Sequence, residues 1–334
     1  MSYLLIGLSG PELEPREIEW LEQPQVAGVV LFTRNFQSPD QLLALNADIR
    51  RYCGSNTLIC VDQEGGRVQR FGLPCTRLPA LGTLGDLYDR DRNLALELAL
   101  THARLMASEM RALEVDLSFA PVLDINGCSE VIGDRALHAD PQAVAQLGRA
   151  YIKGLHEAGM AACGKHFPGH GSVAEDTHHA VASDRRNWDA IAASDLRPFT
   201  LLMRESLDAV MMAHVSYPAV CRDPAGFSPT WIGQVLRQRL GYQGIVISDD
   251  LGMRAAEQAG SFSQRIIASL EAGCDLVLVC RPSDVEQTMA CELPRWQSRA
   301  HGLGGRNRLV WEEFSNSTER AAMVAALAPI QTTL

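Results

Sequence analysis

Met160-Ala161-Ala162-Cys163-Gly164-Lys165-His166-Phe167-Pro168-Gly169-His170-Gly171 sets a short apolar run against a polar, glycine-rich turn. The polar character continues through Asp176-Thr177-His178-His179. An apolar strand that runs into a Gly-rich polar loop is how an α/β protein presents chemistry at the carboxyl edge of its sheet. The rest of the chain is read by asking what else arrives at that edge.

Seven further apolar runs accompany Met160–Gly164: Tyr3–Leu8, Ala27–Phe32, Thr57–Val61, Asp116–Pro121, Ala209–Ala213, Gly244–Ser248 and Asp275–Cys280. Most are apolar throughout, as expected of parallel strands buried on both faces. Helical patterns separate them: Pro15–Gln23, Pro39–Tyr52, Arg92–Leu113, Pro141–Ala158, Trp188–Ser206, Thr230–Leu240, Phe262–Ala272 and Ser283–Ser298, with a last one over Ser317–Leu327. Asp140 before Pro141 reads as an N-cap, Gly273 as a C-cap, and Pro198 demands a kink or break. Eight strand–helix repeats predict an α/β chain built as a single (β/α)8 TIM barrel, one catalytic domain over residues 1–334. A doubly wound open sheet is the competing pattern, but no Gly-x-Gly-x-x-Gly follows the first strand.

Composition narrows the partners. A net charge of −10 argues against nucleic acid. No apolar run reaches the roughly 20 residues of a bilayer span, so no membrane partner is expected. The start of the chain lacks a basic segment, so no signal peptide is expected. Nine cysteines include no Cys-x-x-Cys pair, and Cys60, Cys163, Cys274 and Cys280 sit inside apolar runs. Such residues behave as small buried hydrophobes in a reducing compartment, which predicts a cytoplasmic protein. Only Lys153 and Lys165 are lysines and every other basic residue is Arg. A lysine inside the central stretch therefore suggests a role suited to a compact ammonium.

The predicted strand ends are polar. They carry Thr33-Arg34-Asn35, Asp62-Gln63-Glu64-Gly65-Gly66-Arg67 with Arg70, then Asp124 and Asn126 with Gly133-Asp134-Arg135, then the central stretch, His214, and Ser248-Asp249-Asp250. Carboxylates that accept and cations that donate suit a hydroxyl-rich ligand. No glycine-rich phosphate cradle opens a helix. His166, His170, His178, His179 and His214 are numerous, but none stands in a His-x-His or His-Glu-x-x-His spacing, so neither metal nor cofactor is expected. A metal-dependent barrel hydrolase using the histidines and a Schiff-base lyase using Lys165 are the rival chemistries. Successive strand residues point opposite ways, so one of Asp249 and Asp250 should face the site and the other pack or cap. Spacing does not say which. Asp134 reads as structural, a partner for Arg135. His170 reads as a support behind the site or a loop brace, His214 as a support, and Met253 and Trp231 as packing.

With Lys165-His166-Phe167-Pro168-Gly169-His170-Gly171, Asp176-Thr177-His178 and Ile247-Ser248-Asp249-Asp250-Leu251-Gly252-Met253 in place, the sequence resembles glycoside hydrolase family 3. It is similar in particular to the short bacterial β-N-acetylglucosaminidases (β-hexosaminidases) within that family. Asp62-Gln63-Glu64-Gly65-Gly66-Arg67-Val68-Gln69-Arg70 and Ile132-Gly133-Asp134-Arg135 match as well, so the resemblance covers essentially the whole chain. It implies Asp249 as nucleophile, His178 as general acid/base and Asp176 as the residue that orients and tunes His178. It implies Asp62, Arg70, Arg135, Lys165 and His166 as the grip on a terminal N-acetylglucosamine. The implied activity is retaining removal of non-reducing N-acetylglucosamine from peptidoglycan fragments, N-acetylglucosamine linked to 1,6-anhydro-N-acetylmuramic acid and its peptides. That is a monomeric role in cytoplasmic cell-wall recycling, tied to cell shape, division and the cell cycle. A His in place of the usual carboxylate acid starts from an ordinary pKa of roughly 6.5. The Gly169–His179 loop is expected to close over bound sugar.

Overall fold

A computed structural model describes residues 2–174, 182–203, 207–298 and 302–331. Asp176, His178 and His179 lie outside the described residues, as do the last three residues of the predicted Trp188–Ser206 helix. Eight strands form the main sheet: β1 (Leu4–Gly7), β2 (Val26–Leu31), β3 (Leu58–Val61), β4 (Leu117–Ser118), β5 (Cys163–Phe167), β6 (Ala209–Met212), β7 (Ile245–Asp250) and β8 (Leu276–Val279). Their order is β4-β3-β2-β1-β8-β7-β6-β5, and every pair is parallel. The two end strands meet beyond β4, where Val122 bridges Lys165 in parallel. There Leu123 N donates to Lys165 O at 2.7 Å and Cys163 N to Ala120 O at 2.8 Å. The sheet therefore closes, and the predicted (β/α)8 barrel is the fold.

Two apolar layers explain the continuous apolar runs. Leu5, Val30, Cys60, Leu117, Cys163, Met211, Ile247 and Leu278 fill the barrel interior. Their strand neighbours, such as Leu4, Ile6, Val29, Val61, Val210, Val246 and Val277, pack outward against the helices. Each large side chain so buried contributes about 1.5–3 kcal/mol, and a strand with two such faces has no polar alternation to show. Asp140 caps the Pro141–Glu157 helix by accepting from Gln142 N at 2.8 Å, and Gly273 ends the Phe262–Ala272 helix in the left-handed region at φ 116°. The Thr318–Leu327 helix is tied back to the Arg92–Ala112 helix by Arg320 Nε on Glu109 Oε1 at 2.8 Å.

Several boundaries differ from expectation. β5 begins at Cys163 and runs to Phe167, so Lys165 and His166 are strand residues rather than loop residues. The reason is the barrel seam, which recruits the Lys165 backbone on one side while β6 pairs with it on the other. The Trp188–Ser206 pattern breaks into Trp188–Ala193 and Arg197–Leu202, with Pro198 in the first turn of the second helix. The Ser283–Ser298 pattern is helical only over Pro282–Met289, and Pro294 lies beyond its end. The short helices Gly82–Tyr88 and Trp311–Ser315 escaped the periodicity, being barely two turns or less.

Candidate active site

The carboxyl ends of the strands open into a cleft of about 700 Å³. Its apolar floor is the top layer of the barrel interior, Val30, Phe119, Met211, Leu278 and Cys280. Asp62, Arg70, Arg135, Lys165, His166 and Asp249 all line it, so β3, β5, β7 and the loops after β3 and β4 meet in one place. A register shift against β6 between Lys165 and Phe167 breaks the alternation of β5, and both Lys165 and His166 reach the cleft.

Charge is concentrated behind the cleft wall. Lys165 Nζ lies 2.7 Å from Asp62 Oδ1 and 2.5 Å from Glu64 Oε1. Arg135 clasps Glu64 with two bonds, Nε to Oε2 at 2.9 Å and Nη2 to Oε1 at 2.8 Å. Arg70 reaches Asp62 Oδ2 at 3.5 Å. Burial alone would raise both carboxyls, but Lys165 with Arg70 holds Asp62 well below the usual range, and Lys165 with Arg135 brings Glu64 down to about 2. Burial works against the Lys165 ammonium, yet Asp62 and Glu64 outweigh it and raise its pKa. A lysine so held stays protonated, which is the wrong state for a Schiff-base nucleophile.

Asp124, fully buried just past β4, organises the second pair. It accepts from His166 Nδ1 at 2.6 Å and from the His170 backbone N at 2.7 Å. Burial would raise Asp124, but His166 keeps it below the ordinary value and so ionised at neutral pH. An ionised carboxylate only accepts, so Nδ1 carries the proton and Nε2 is the ring nitrogen that can meet a ligand. His170 serves as both support and brace: it lines the cleft, and Ser129 Oγ lies 3.3 Å from its Nδ1. The strand exit is fixed by Tyr217, whose hydroxyl donates to Gly169 O at 2.6 Å. Gly169 itself, at φ 139°, leaves no room for a Cβ against Asp195.

Asp249 and Asp250 do not divide as alternation predicts. Between Ile247 and Asp250 the register against β8 slips, three steps on β7 facing two on β8, and both carboxylates border the cleft. Asp250 is nonetheless the capping member: its Oδ1 accepts from Gly252 N at 3.0 Å and Cys280 N at 3.1 Å. Burial pushes it up to about 6. Asp249 is half-buried, and its Oδ1 accepts from the Asp250 N–H at 2.8 Å. His214 supports this corner, with Nε2 3.2 Å from Asp250 O and its ring stacked on Phe227.

One expected partnership is wrong. Asp134 pairs with Arg67 at 3.2 Å, while Arg135 turns inward to Glu64, because a buried guanidinium finds its carboxylate inside and leaves the exposed one to the surface. The sequence placed Glu64 and Asp124 among the polar strand ends without giving either a partner or a role of its own. Glu64 was within reach, since residues two apart on an extended strand share a side and Asp62 is its neighbour at that spacing. Asp124 stood at a strand end, but nothing local named His166 as its partner. Met253 and Trp231 are core, as expected; Trp231 packs against Phe167, Trp188 and Tyr217. Among the described residues no group of three or more His, Cys, Asp or Glu comes together as a metal site. Among them, too, no helix is long and apolar enough to cross a membrane.

Residues 7–293 match the family model described as the glycosyl hydrolase family 3 N terminal domain. The β-hexosaminidase of Stenotrophomonas maltophilia (strain R551-3) is 51% identical over 311 residues, 92% of this chain and 93% of that protein. The β-hexosaminidase of Xanthomonas oryzae pv. oryzae (strain MAFF 311018) is 50% identical over 318 residues, 95% of each. Native NagZ from Neisseria gonorrhoeae superposes with a TM-score of 0.91 at 39% identity, covering 99% of this chain and 98% of that one. The same NagZ in complex with N-trifluoroacetyl-D-glucosamine superposes equally well, at 0.91 and 40% identity over 98% of each chain.

Proposed function

This chain belongs to glycosyl hydrolase family 3 and is a β-N-acetylhexosaminidase, and from that premise we propose that it is a retaining exo-enzyme removing terminal N-acetylglucosamine through a covalent intermediate. The observation that carries this reading is the meeting of Asp249 with Asp62, Arg70, Arg135, Lys165 and His166 in a single cleft. Asp249 attacks the anomeric carbon from the end of a rigid strand and becomes a glycosyl ester as the glycosidic bond breaks. His178, oriented by Asp176, gives its proton to the departing oxygen. It then takes one from the water that frees the sugar, and Asp249 leaves as carboxylate. Asp62 accepts from sugar hydroxyls while Arg70, Arg135, Lys165 and His166 Nε2 bind their oxygens.

The proposed substrate is N-acetylglucosamine joined to 1,6-anhydro-N-acetylmuramic acid and its peptides, processed in cytoplasmic cell-wall recycling by a monomer with one catalytic domain over residues 1–334. Two features support it. A relative of the same fold is known with an N-acylated glucosamine. Arg34, Arg67 and Arg281 also line the cleft and suit a carboxylate-bearing aglycone. A slow fluorinated N-acetylglucosaminide tests the reaction: mass spectrometry should find one glycosyl adduct, on a peptide containing Asp249. An adduct on another residue, or turnover with inversion, overturns the assignment. Release of N-acetylglucosamine from purified muropeptides, compared with chitobiose, tests the aglycone; a preference for chitobiose would reject it.

A further inference from the structure

We infer that Glu64 is a positioning residue for sugar recognition: without touching the cleft, it sets the two cations that hold the glycone. The inference rests on the reading above that Lys165 and Arg135 bind the sugar. Glu64 is 1% exposed and is absent from the cleft wall, yet both of its oxygens are engaged by cations that do line it. Oε1 is shared between Lys165 Nζ and Arg135 Nη2, and Oε2 takes Arg135 Nε.

Donor counting shows what this does. An ammonium has three N–H donors, and Asp62 and Glu64 occupy two, which leaves one direction for a ligand. A guanidinium has five: the Nε/Nη2 edge is spent on Glu64 and Nη1 gives one to Val131 O at 3.3 Å, which leaves one donor on each of Nη1 and Nη2 for a ligand. Glu64 therefore converts two long, rotatable side chains into donors of fixed direction before any sugar arrives. The ordering cost is met in folding rather than in binding. Its own place is set by the Gln63–Gly65 and Val68–Gln69 hairpin, where Gln63 Oε1 accepts from Arg70 N at 2.9 Å and Phe71 N at 3.1 Å. One short hairpin thus aims Asp62, Arg70, Lys165 and Arg135 together.

The test uses the full chain and an aryl N-acetyl-β-glucosaminide. Glu64→Gln keeps the shape and removes the charge. It should raise KM about 10- to 100-fold, the range for lost charge-assisted hydrogen bonds, with kcat within about threefold of wild type. Arg135→Gln and Lys165→Gln are measured alongside. If those two leave KM unchanged, the sugar assignment itself fails. If they raise KM and a folded Glu64→Gln does not, or if Glu64→Gln lowers kcat and leaves KM alone, the Glu64 inference is overturned. Adding Glu64→Gln to the Arg135→Gln/Lys165→Gln double should change kcat/KM by less than about twofold, because both cations it acts through are gone. A merely structural glutamate would impose the same penalty in both backgrounds, and that result refutes the proposal. This comparison also decides the matter if the single variant does not fold, since the triple contains neither a buried Arg135 without its carboxylate nor a buried Glu64 without its cations.

Discussion

Lys165→Met isolates the buried charge cluster, because methionine is similar in length and volume and keeps the apolar stem packed. Removing the ammonium leaves Asp62 and Glu64 beside each other with only Arg70 and Arg135 to neutralise them. In the intact protein Glu64 is brought from 4.5 to about 2, with Lys165 ahead of Arg135 among the cations responsible. Losing the whole Glu64 shift would correspond to roughly 3 kcal/mol; Arg135 retains part of it, while Asp62 loses its Lys165 bond as well, and breaking buried ion pairs costs about 3–5 kcal/mol, so the variant should lose about 3 kcal/mol at pH 7. The pH dependence follows from the same shift. A carboxyl whose folded pKa is depressed contributes stability that is present above its ordinary value and is lost as pH falls through the folded one. For Glu64 that window runs from about 4.5 down to about 2. In the variant the folded pKa moves part of the way back up, since Arg135 keeps its two bonds to Glu64, and the Lys165 part of this contribution disappears. The gap between wild type and variant is therefore widest at neutral pH and should shrink as pH falls from about 4.5 towards 3, while Asp62, which Lys165 holds lower still, keeps its share to lower pH. Urea unfolding at 25 °C, run at pH 7, 5, 4 and 3 with tryptophan fluorescence, measures it. A loss below about 1 kcal/mol at pH 7, or a gap that is constant from pH 7 to 3, would refute the reasoning.

The adjacent carboxylates are separated by a pair of isosteric changes. Asp249→Asn should lose at least about a thousandfold in kcat with an unchanged melting temperature, and Asp250→Asn, which keeps an acceptor for Gly252 and Cys280, should retain most of its activity. The raised Asp250 costs stability as pH rises through about 6, so Asp250→Asn should gain on wild type in urea melts above pH 6 relative to pH 4; the opposite trend counts against a half-buried, reluctant carboxyl. Asp124→Asn replaces an acceptor-only carboxylate with an amide that can also donate, so the His166 tautomer is no longer fixed, and KM should rise about tenfold with a small change in kcat; unaltered KM would mean that the ring does not touch sugar. His178→Ala should impair natural disaccharides far more than aryl glycosides with good leaving groups, and equal losses on both would deny it the proton-donor role.

The sequence by itself determined the barrel, because its evidence is local and repeated. Continuous apolar runs report burial on both faces, and Leu5 with Leu4 or Val30 with Val29 would not be apolar together in a one-sided sheet. It also placed Asp62, Arg70, Arg135, Lys165, His166 and Asp249 at the strand ends, where the cleft in fact gathers them. What it left open depended on contacts between residues far apart in the chain. Nothing near Glu64 says that Arg135 and Lys165, 71 and 101 positions away, will close on it, and the adjacent Asp134 was the natural but wrong partner for Arg135. Asp124 gained its meaning only when the seam between β4 and β5 brought His166 within 2.6 Å of it. The period of two could not divide Asp249 from Asp250, because that rule fails wherever the register slips against a neighbouring strand. Patterning specifies which residues are buried and roughly where they arrive. The pairing of buried charges is a tertiary matter, since in a dry interior each finds the partner that geometry brings closest, whatever its position in the chain.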